Sequence, residues 1–170
     1  MPFAAGAWPK MRPMSPIAPT ATPSESLDPV LDFMRLLWSI EHGLQSTSKR
    51  MENTLGITGP QRLVLKVVSQ FPGLSAKAVA HVVRLHPSTL TGVIQRLVEK
   101  RLLVRDRDPK DTRRMRLRAT AKAAAFNRRS PGTVESAVEA ALARVPASHV
   151  KHARNVLRAV AQALDADALG

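Results

Sequence analysis

The chain of 170 residues is 44% hydrophobic, contains no cysteine and has a formal net charge of +13. This length fits one compact domain with appendages, and the apolar fraction is enough for a buried core. The absence of cysteine excludes a disulfide framework, a thiolate zinc site and a cysteine redox switch. No apolar run approaches the roughly 20 residues of a membrane span, and prolines and charges interrupt the first residues, so we expect a cytoplasmic protein without a signal peptide or a membrane partner.

The N-terminal part of the chain changes character near Leu27. Residues 1–26 contain six prolines with Ser and Thr between them. Such a segment buries too little apolar surface to order itself, which predicts a disordered arm. After it, apolar residues recur at steps of three and four, which predicts one long helix over about 29–55, with Pro29 in its first turn and Gly56 at its end.

Caps and stops define the next two helices. Thr58 and Gln61 predict a capping box, and the helix that follows is expected to stop at Pro72-Gly73. Ser75 is expected to cap a short helix over 76–83. The positions predicted to face the core from these two helices are Leu63, Val64, Val67, Val68, Phe71, Ala78, Val79 and Val82.

Pro87 is expected to open a further helix that runs to about Lys100, with Leu90, Val93 and Ile94 inward. Two helices of roughly 8 and 14 residues joined by a short turn are typical of a helix-turn-helix unit. Gln95 is the best candidate in it for reading adenine. The residues of this helix that we expect to contact DNA are Pro87, Ser88, Thr89, Thr91, Gln95 and Arg96.

The segment from Arg105 to Thr120 combines six arginines and one lysine with three aspartates. "LLVRD" and the alternating "MRLRAT" predict two strands with a turn at Pro109, and a hairpin directly after a helix-turn-helix indicates a winged helix. Asp108 is expected to bind backbone N–H groups in the turn, and Asp111 to hold either Arg113 or Arg114. The wing cations expected to contact DNA are Arg107, Lys110, Arg113 and Arg114.

Positive charge is concentrated around this wing. Between Arg96 and Arg129 there are thirteen Lys and Arg residues against four acids, which places +9 of the total charge in one segment. Such a localised charge favours a polyanionic partner, with nucleic acid first. Beyond Thr120 the pattern predicts helices over 121–129, 134–145 and 149–165, the last two capped by Thr133 and Ser148.

These segments together resemble the MarR (multiple antibiotic resistance regulator) family of bacterial transcription factors over about residues 31–165. "PGLSAKAVAHVVRLHPSTLTGVIQRLVEKRLLVR" is similar to the family's helix-turn-helix. "DPKDTRRMRLRAT" is similar to its wing, with Asp111-Thr112-Arg113-Arg114 as the Asp-x-Arg-Arg signature. One departure is Gly92, which stands where the family often carries an arginine, so a direct base contact is missing there.

The resemblance implies a mainly α fold: a winged helix-turn-helix with a two-stranded β wing and an all-helical dimerisation region from both termini. It also implies an obligate homodimer on a palindromic operator in double-stranded DNA. We therefore divide the chain into a Pro-rich arm (1–26), an N-terminal dimerisation helix (27–57), a DNA-binding region (58–120) and C-terminal dimerisation helices (121–170).

In members of this family, small and often anionic aromatic compounds bind between the dimer helices and the reading head. Trp38, His42 and Ser46 lie on one line of the long helix, Arg50 continues that line, and Arg62 begins the next helix. Trp38 could stack on a ring while the polar side chains meet a carboxylate or phenolate. A tryptophan at helical spacing is more often part of a core, so both interpretations stay open.

The leading functional hypothesis is a ligand-responsive, DNA-binding repressor. Two alternatives remain: an architectural DNA binder without sequence preference, and a winged-helix module that binds an acidic protein. We expect no enzyme, cofactor or metal site, because the five histidines show no metal spacing with nearby carboxylates and no nucleophile–base constellation is visible.

Overall fold

The computed structural model describes residues 27–109, 111 and 113–167. The predicted N-terminal arm and Lys110 therefore lie outside the described residues. The elements are α1 (Pro29–Leu55), α2 (Gly59–Gln70), α3 (Ala76–Val83), α4 (Pro87–Glu99), β1 (Leu103–Arg107), β2 (Met115–Ala119), α5 (Ala123–Asn127), α6 (Val134–Leu142) and α7 (Ala147–Asp167). This is the predicted mainly α fold with a two-stranded antiparallel sheet. By its internal packing the chain divides after Ser39, so the first unit contributes the first turns of α1 and the second contains every later element.

The predicted helix starts of the reading head are confirmed. Thr58 and Gln61 form the capping box of α2, and Ser75 accepts a hydrogen bond from the backbone of Ala78 at the start of α3. Pro87 occupies the first turn of α4. Gly56 ends α1 with a φ of +71°, a left-handed conformation that glycine adopts without a steric penalty.

The hydrophobic core lies within the winged helix. Its fully buried members come from α2, α3, α4, α5, the wing and the segments just before α2 and β1: Ile57, Val64, Leu65, Val68, Val79, Leu90, Ile94, Leu97, Leu102, Leu103, Leu117 and Ala123. Three positions predicted to face inward, Leu63, Phe71 and Val82, are instead exposed. On α2, Leu65 is buried together with Val64 and Val68, which lie one and three residues from it. The buried face of α2 is therefore displaced by one position from the predicted face.

The C-terminal helices differ from their predicted bounds. α5 is shorter than the predicted 121–129, and α6 ends at Leu142, before Pro146. Thr133 caps α6 as predicted. Ser148 was expected to cap the last helix, which was wrong: α7 begins at Ala147, and the carbonyl of Pro146 accepts hydrogen bonds from the first turn.

Backbone groups attach the wing to the loop between α2 and α3. Strands β1 and β2 pair antiparallel, with Arg107 opposite Met115 and Leu103 opposite Ala119. Gly73 donates its N–H to the carbonyl of Leu117, and Leu117 donates its own to the carbonyl of Leu74, each at 2.9 Å. Gly73 has a φ of +91°, a backbone conformation that favours glycine. Among the described residues no helix is both long and apolar enough to cross a membrane.

Candidate nucleic-acid interface

One face of α4 is left uncovered by the core. Leu90, Val93, Ile94 and Leu97 are buried, whereas the residues predicted to contact DNA are all exposed. These are Pro87, Ser88, Thr89, Thr91, Gln95 and Arg96. Ser88, Thr91, Gly92 and Gln95 follow the i, i+3, i+4, i+7 spacing of one helix face, so they form one continuous exposed surface.

The start of α4 is capped by a side chain that the sequence analysis did not single out. His86 is the N-cap, and its Nδ1 accepts a hydrogen bond from the backbone N–H of Ser88 at 3.4 Å. The same nitrogen lies 2.7 Å from Ser88 Oγ. Ser88 is therefore tied to the cap in the free protein, and its hydroxyl must exchange this partner to reach DNA.

Gln95 and Thr91 also have partners within the helix. Gln95 Nε2 donates to the carboxylate of Glu99 at 3.0 Å, one turn further along α4. Thr91 Oγ1 donates to the carbonyl of Pro87 at 2.8 Å. Glu99 therefore orients the amide that is predicted to read adenine, and this bond uses one of the two N–H donors of Gln95 Nε2.

Each acid of the wing pairs with an arginine. Arg114 Nε lies 3.2 Å from Asp111, Arg116 Nη2 lies 2.7 Å from Asp108, and Arg118 Nε lies 2.9 Å from Asp106. The expectation that Asp111 holds one of two neighbouring arginines is confirmed for Arg114. The other two pairs were not predicted, because they depend on the register that sets Asp106 opposite Arg116.

The wing loop is closed by its own backbone. Asp108 donates its N–H to the carbonyl of Arg114 at 2.8 Å, and Arg114 donates to the carbonyl of Asp111 at 2.9 Å. The carboxylate of Asp111 also accepts the backbone N–H of Arg113 at 3.1 Å. The carboxylate of Asp108 is mostly buried. These contacts fix the turn, as a rigid loop requires.

Three wing arginines form no ion pair with any residue in the described ranges: Arg105, Arg107 and Arg113. All three are exposed. Arg107 and Arg113 were predicted to contact DNA, and Arg105 was not singled out. Because a guanidinium without a carboxylate partner is available to a phosphate, these three residues carry the uncompensated charge of the described wing.

Arg62 lies in a different place from the one its predicted role requires. Its side chain is 2% exposed and pairs with Glu135 of α6, and its Nη2 donates to the carbonyl of Arg128 at 2.8 Å. Lys66, one turn along α2, lies 3.5 Å from Glu135. Arg62 thus connects α2 to the chain that leads into α6, and its guanidinium is already committed to protein groups.

The ionisation of Glu135 reflects this contact. Burial on its own would raise the pKa of this carboxyl group, but hydrogen bonds from the Arg62 side chain and from its own backbone, together with the charges of Arg62 and Lys66, outweigh burial. They hold the pKa of Glu135 below its ordinary value, so this group is a carboxylate at neutral pH.

The remaining residues of the predicted effector line are accessible. Trp38 and His42 are exposed on α1, and Ser46 is half-buried. The hydroxyl of Ser46 accepts a hydrogen bond from Arg50 at 2.9 Å, and Arg50 also donates to Thr47 at 2.8 Å. Arg50, rather than Arg62, is the arginine that the structure places next to this line.

Comparison with known proteins agrees with the fold. The model of the MarR family matches residues 55–114. The PcaV transcriptional regulator of Streptomyces coelicolor in complex with its natural ligand is 29% identical, with a TM-score of 0.66 over 82% of this chain and 98% of that chain. A second structure of PcaV is 30% identical, with a TM-score of 0.56 over 78% of this chain and 97% of that chain.

Two further relatives are more distant or shorter in overlap. The complex of S. aureus MepR with DNA shares the fold at a TM-score of 0.65 and 18% identity, over 78% of this chain and 97% of that chain. A curated protein of Thauera aromatica, described as a transcriptional regulatory protein for the hcr operon, is 36% identical over 73 residues. Those residues are 43% of this chain and 44% of that relative, so the match spans less than half of either protein.

Proposed function

Because the chain belongs to the MarR family of transcriptional regulators, we propose that it is a homodimeric repressor that binds a palindromic operator and is released by a small aromatic or anionic effector. The observation that carries the DNA-binding part is the combination of an exposed, mainly polar face on α4 with a wing whose ion pairs leave three arginines uncompensated. The first surface supplies contacts to base edges, and the second supplies contacts to phosphates. Binding to DNA implies that the protein works in the cytoplasm.

Dimerisation is supported by apolar surface that the chain leaves uncovered. Exposed large apolar side chains occur along α1 and again in the C-terminal helices, and contiguous patches of this kind mark interaction sites. In α1 they include Val30, Leu31, Met34, Leu36, Ile40 and Leu44, and in α6 and α7 they include Val138, Leu142, Val156, Leu157 and Leu164. In a homodimer, the same surfaces of a second copy would bury them.

Selection of DNA from a random-sequence duplex library tests sequence-specific binding. We expect an enriched inverted repeat whose half-sites lie about 10 bp apart, bound by two protein chains in sedimentation experiments. If the dimer touches about eight phosphates, log affinity should fall with log salt concentration at a slope near −7.

Other outcomes of the same experiment favour the alternatives. Equal affinity for selected and random duplexes would identify an architectural DNA binder, which needs only phosphate contacts. A slope shallower than about −2, or binding by a single chain, would contradict the dimeric operator complex. No binding to any duplex would favour a module that uses its wing to bind an acidic protein.

The effector part of the proposal rests on the accessible line of α1. PcaV is similar to this chain and has a natural ligand. In this chain, Trp38 offers an aromatic face, and His42 and Arg50 offer positive or polar groups one and three turns away. Aromatic acids combine the two groups that such a surface binds, a ring and a carboxylate. A ligand that prefers the conformation unable to bind DNA would shift the population away from the operator complex.

A further inference from the structure

Gly92 lies in the interior of α4, and nothing in the described chain requires a glycine there. Glycine weakens a helix relative to alanine, because it has more conformational freedom to lose. The residue is exposed, and its φ lies outside the left-handed range that favours glycine. A Cβ atom built on it would meet nothing within 4 Å. The missing side chain therefore leaves a gap on the surface of the helix, and this gap does not stabilise the fold.

The gap is central to the surface that is proposed to face DNA. Ser88 lies one turn before Gly92, and Gln95 lies one turn after it. Thr91 lies beside the gap, and its hydroxyl donates to the carbonyl of Pro87 at 2.8 Å. With the hydroxyl turned to the helix, the methyl group is what Thr91 presents outward. The surface at Thr91 and Gly92 is therefore apolar and lacks free donors, whereas its surroundings are polar.

This chemistry matches one group on the edges of base pairs. In the major groove every base pair shows hydrogen-bond donors and acceptors, but only thymine adds an apolar methyl group at C5. A phosphate would need donors, which the Thr91–Gly92 surface does not offer. We propose that the gap at Gly92 and the methyl group of Thr91 receive the C5 methyl group of a thymine in each half-site. This makes Gly92 a specificity-determining residue of the proposed operator complex, and the inference rests on the proposed function.

The first test adds volume at the gap. The probe is the duplex that the wild-type protein enriches from the random library. Gly92→Ala should raise the melting temperature of the protein by about 2–4 °C, because it removes the cost of a helical glycine. It should weaken binding to the selected duplex by about 5- to 150-fold, the range for losing the contacts at one base pair. Gly92→Leu should weaken it further, while binding to random duplex, which depends on phosphates, should stay unchanged for both variants.

Gly43→Ala is the matched control. Gly43 is also an exposed glycine inside a helix, and a Cβ on it would also meet nothing within 4 Å. This change should stabilise the protein in the same way. Because Gly43 lies beside Ile40 and Leu44 of the proposed dimer surface, sedimentation first verifies that the variant is a dimer, and its binding to the selected duplex should then be unchanged. If Gly92→Leu binds the selected duplex as tightly as the wild type, the gap is not used for recognition.

The second test removes only the methyl group from the DNA. Each thymine of the selected duplex is replaced in turn by deoxyuridine, which keeps every hydrogen bond of the base. We expect one position in each half-site where wild-type binding weakens, and where Gly92→Leu shows no additional loss. Unchanged wild-type binding at every position would overturn the proposal even if the variants failed to fold. A wild-type protein without sequence preference would instead overturn the proposed function itself.

Discussion

Arg62 and Glu135 stand 73 residues apart in the chain, yet the buried guanidinium of Arg62 is paired with the carboxylate of Glu135. Together with the bond from Arg62 to the carbonyl of Arg128, this contact joins the reading head to the start of α6. A buried charge is costly without its partner, so the position of α6 and the ionisation of Glu135 depend on each other.

Glu135→Ala should lower the free energy of unfolding by about 1–3 kcal/mol, because it leaves the buried guanidinium without its carboxylate. Chemical denaturation at fixed protein concentration measures the change. Glu139→Ala is the control, since Glu139 lies in the same helix and pairs with the exposed Arg129. The free energy of unfolding of Glu139→Ala should fall by no more than about 0.5 kcal/mol. Equal losses in the two variants would show that the buried pair stabilises the fold no more than the exposed pair.

The stability of the protein should also depend on pH through Glu135. The folded-state pKa of this carboxyl group lies below its ordinary value. Its stabilising contribution is therefore complete above the unfolded-state pKa and is lost as the pH falls through the lower folded-state value. Unfolding curves from neutral pH downward should show wild-type stability falling more steeply in this acid range than that of Glu135→Gln. Parallel curves for the two proteins would contradict the linkage.

Asp111→Ala should weaken binding to DNA although it removes a negative charge. The reason is that Asp111 holds Arg114 and accepts the backbone N–H of Arg113, so its loss frees the loop that presents Arg113. Affinity for the selected duplex measures the effect. Glu52→Gln, which removes an exposed acid on α1, should leave the affinity unchanged or slightly raise it. Tighter binding by Asp111→Ala would mean that Asp111 only screens charge.

Gln95→Ala should reduce the discrimination between selected and random duplex by about 1–3 kcal/mol. Since Glu99 accepts a hydrogen bond from Gln95 in the free protein, Glu99→Gln should not reduce this discrimination. Titrations of the selected and the random duplex with each variant measure this discrimination. Equal losses on both duplexes in Gln95→Ala would assign Gln95 to the phosphate backbone.

Salicylate-like aromatic acids should quench or shift the fluorescence of Trp38 and release the protein from its selected duplex. Trp8→Phe removes the second tryptophan so that the signal has one source. His42→Ala should weaken binding of the ligand, whereas Glu139→Ala should leave its affinity unchanged. If a ligand releases DNA and His42→Ala leaves its affinity unchanged, the effector binds elsewhere.

Local signals in the sequence were enough for most of the fold. Thr58, Ser75 and Pro87 mark helix starts through the hydrogen bonds and the fixed φ that these residue types provide, and the structure begins α2, α3 and α4 there. The strict alternation in "MRLRAT" likewise predicted β2. Core membership was less certain, because α2 carries apolar residues on more than one face. Leu63 and Leu65 lie two positions apart, on different faces, and only Leu65 is buried.

The contacts of the candidate site depend on pairing across the fold, which local patterns do not contain. Arg62 looked like a ligand-binding arginine because it follows the long helix, and its partner Glu135 comes 73 residues later. The pairing of Arg116 with Asp108 follows from strand register and loop closure. The sequence indicated that Asp111 would hold Arg113 or Arg114, but only the three-dimensional arrangement determines that Arg114 is the partner.

The attachment of the wing has a consequence for sequence divergence. The hydrogen bonds that join Leu117 to Gly73 and Leu74 use only main-chain groups, and every residue except proline has both the N–H and the carbonyl that they need. The backbone conformation of Gly73 favours glycine. At the other positions these hydrogen bonds place little restriction on which side chain the residue carries. Substitutions at the exposed arginines of the wing can therefore accumulate over generations without detaching it from the reading head. A lineage could in this way acquire new DNA targets while keeping the same scaffold.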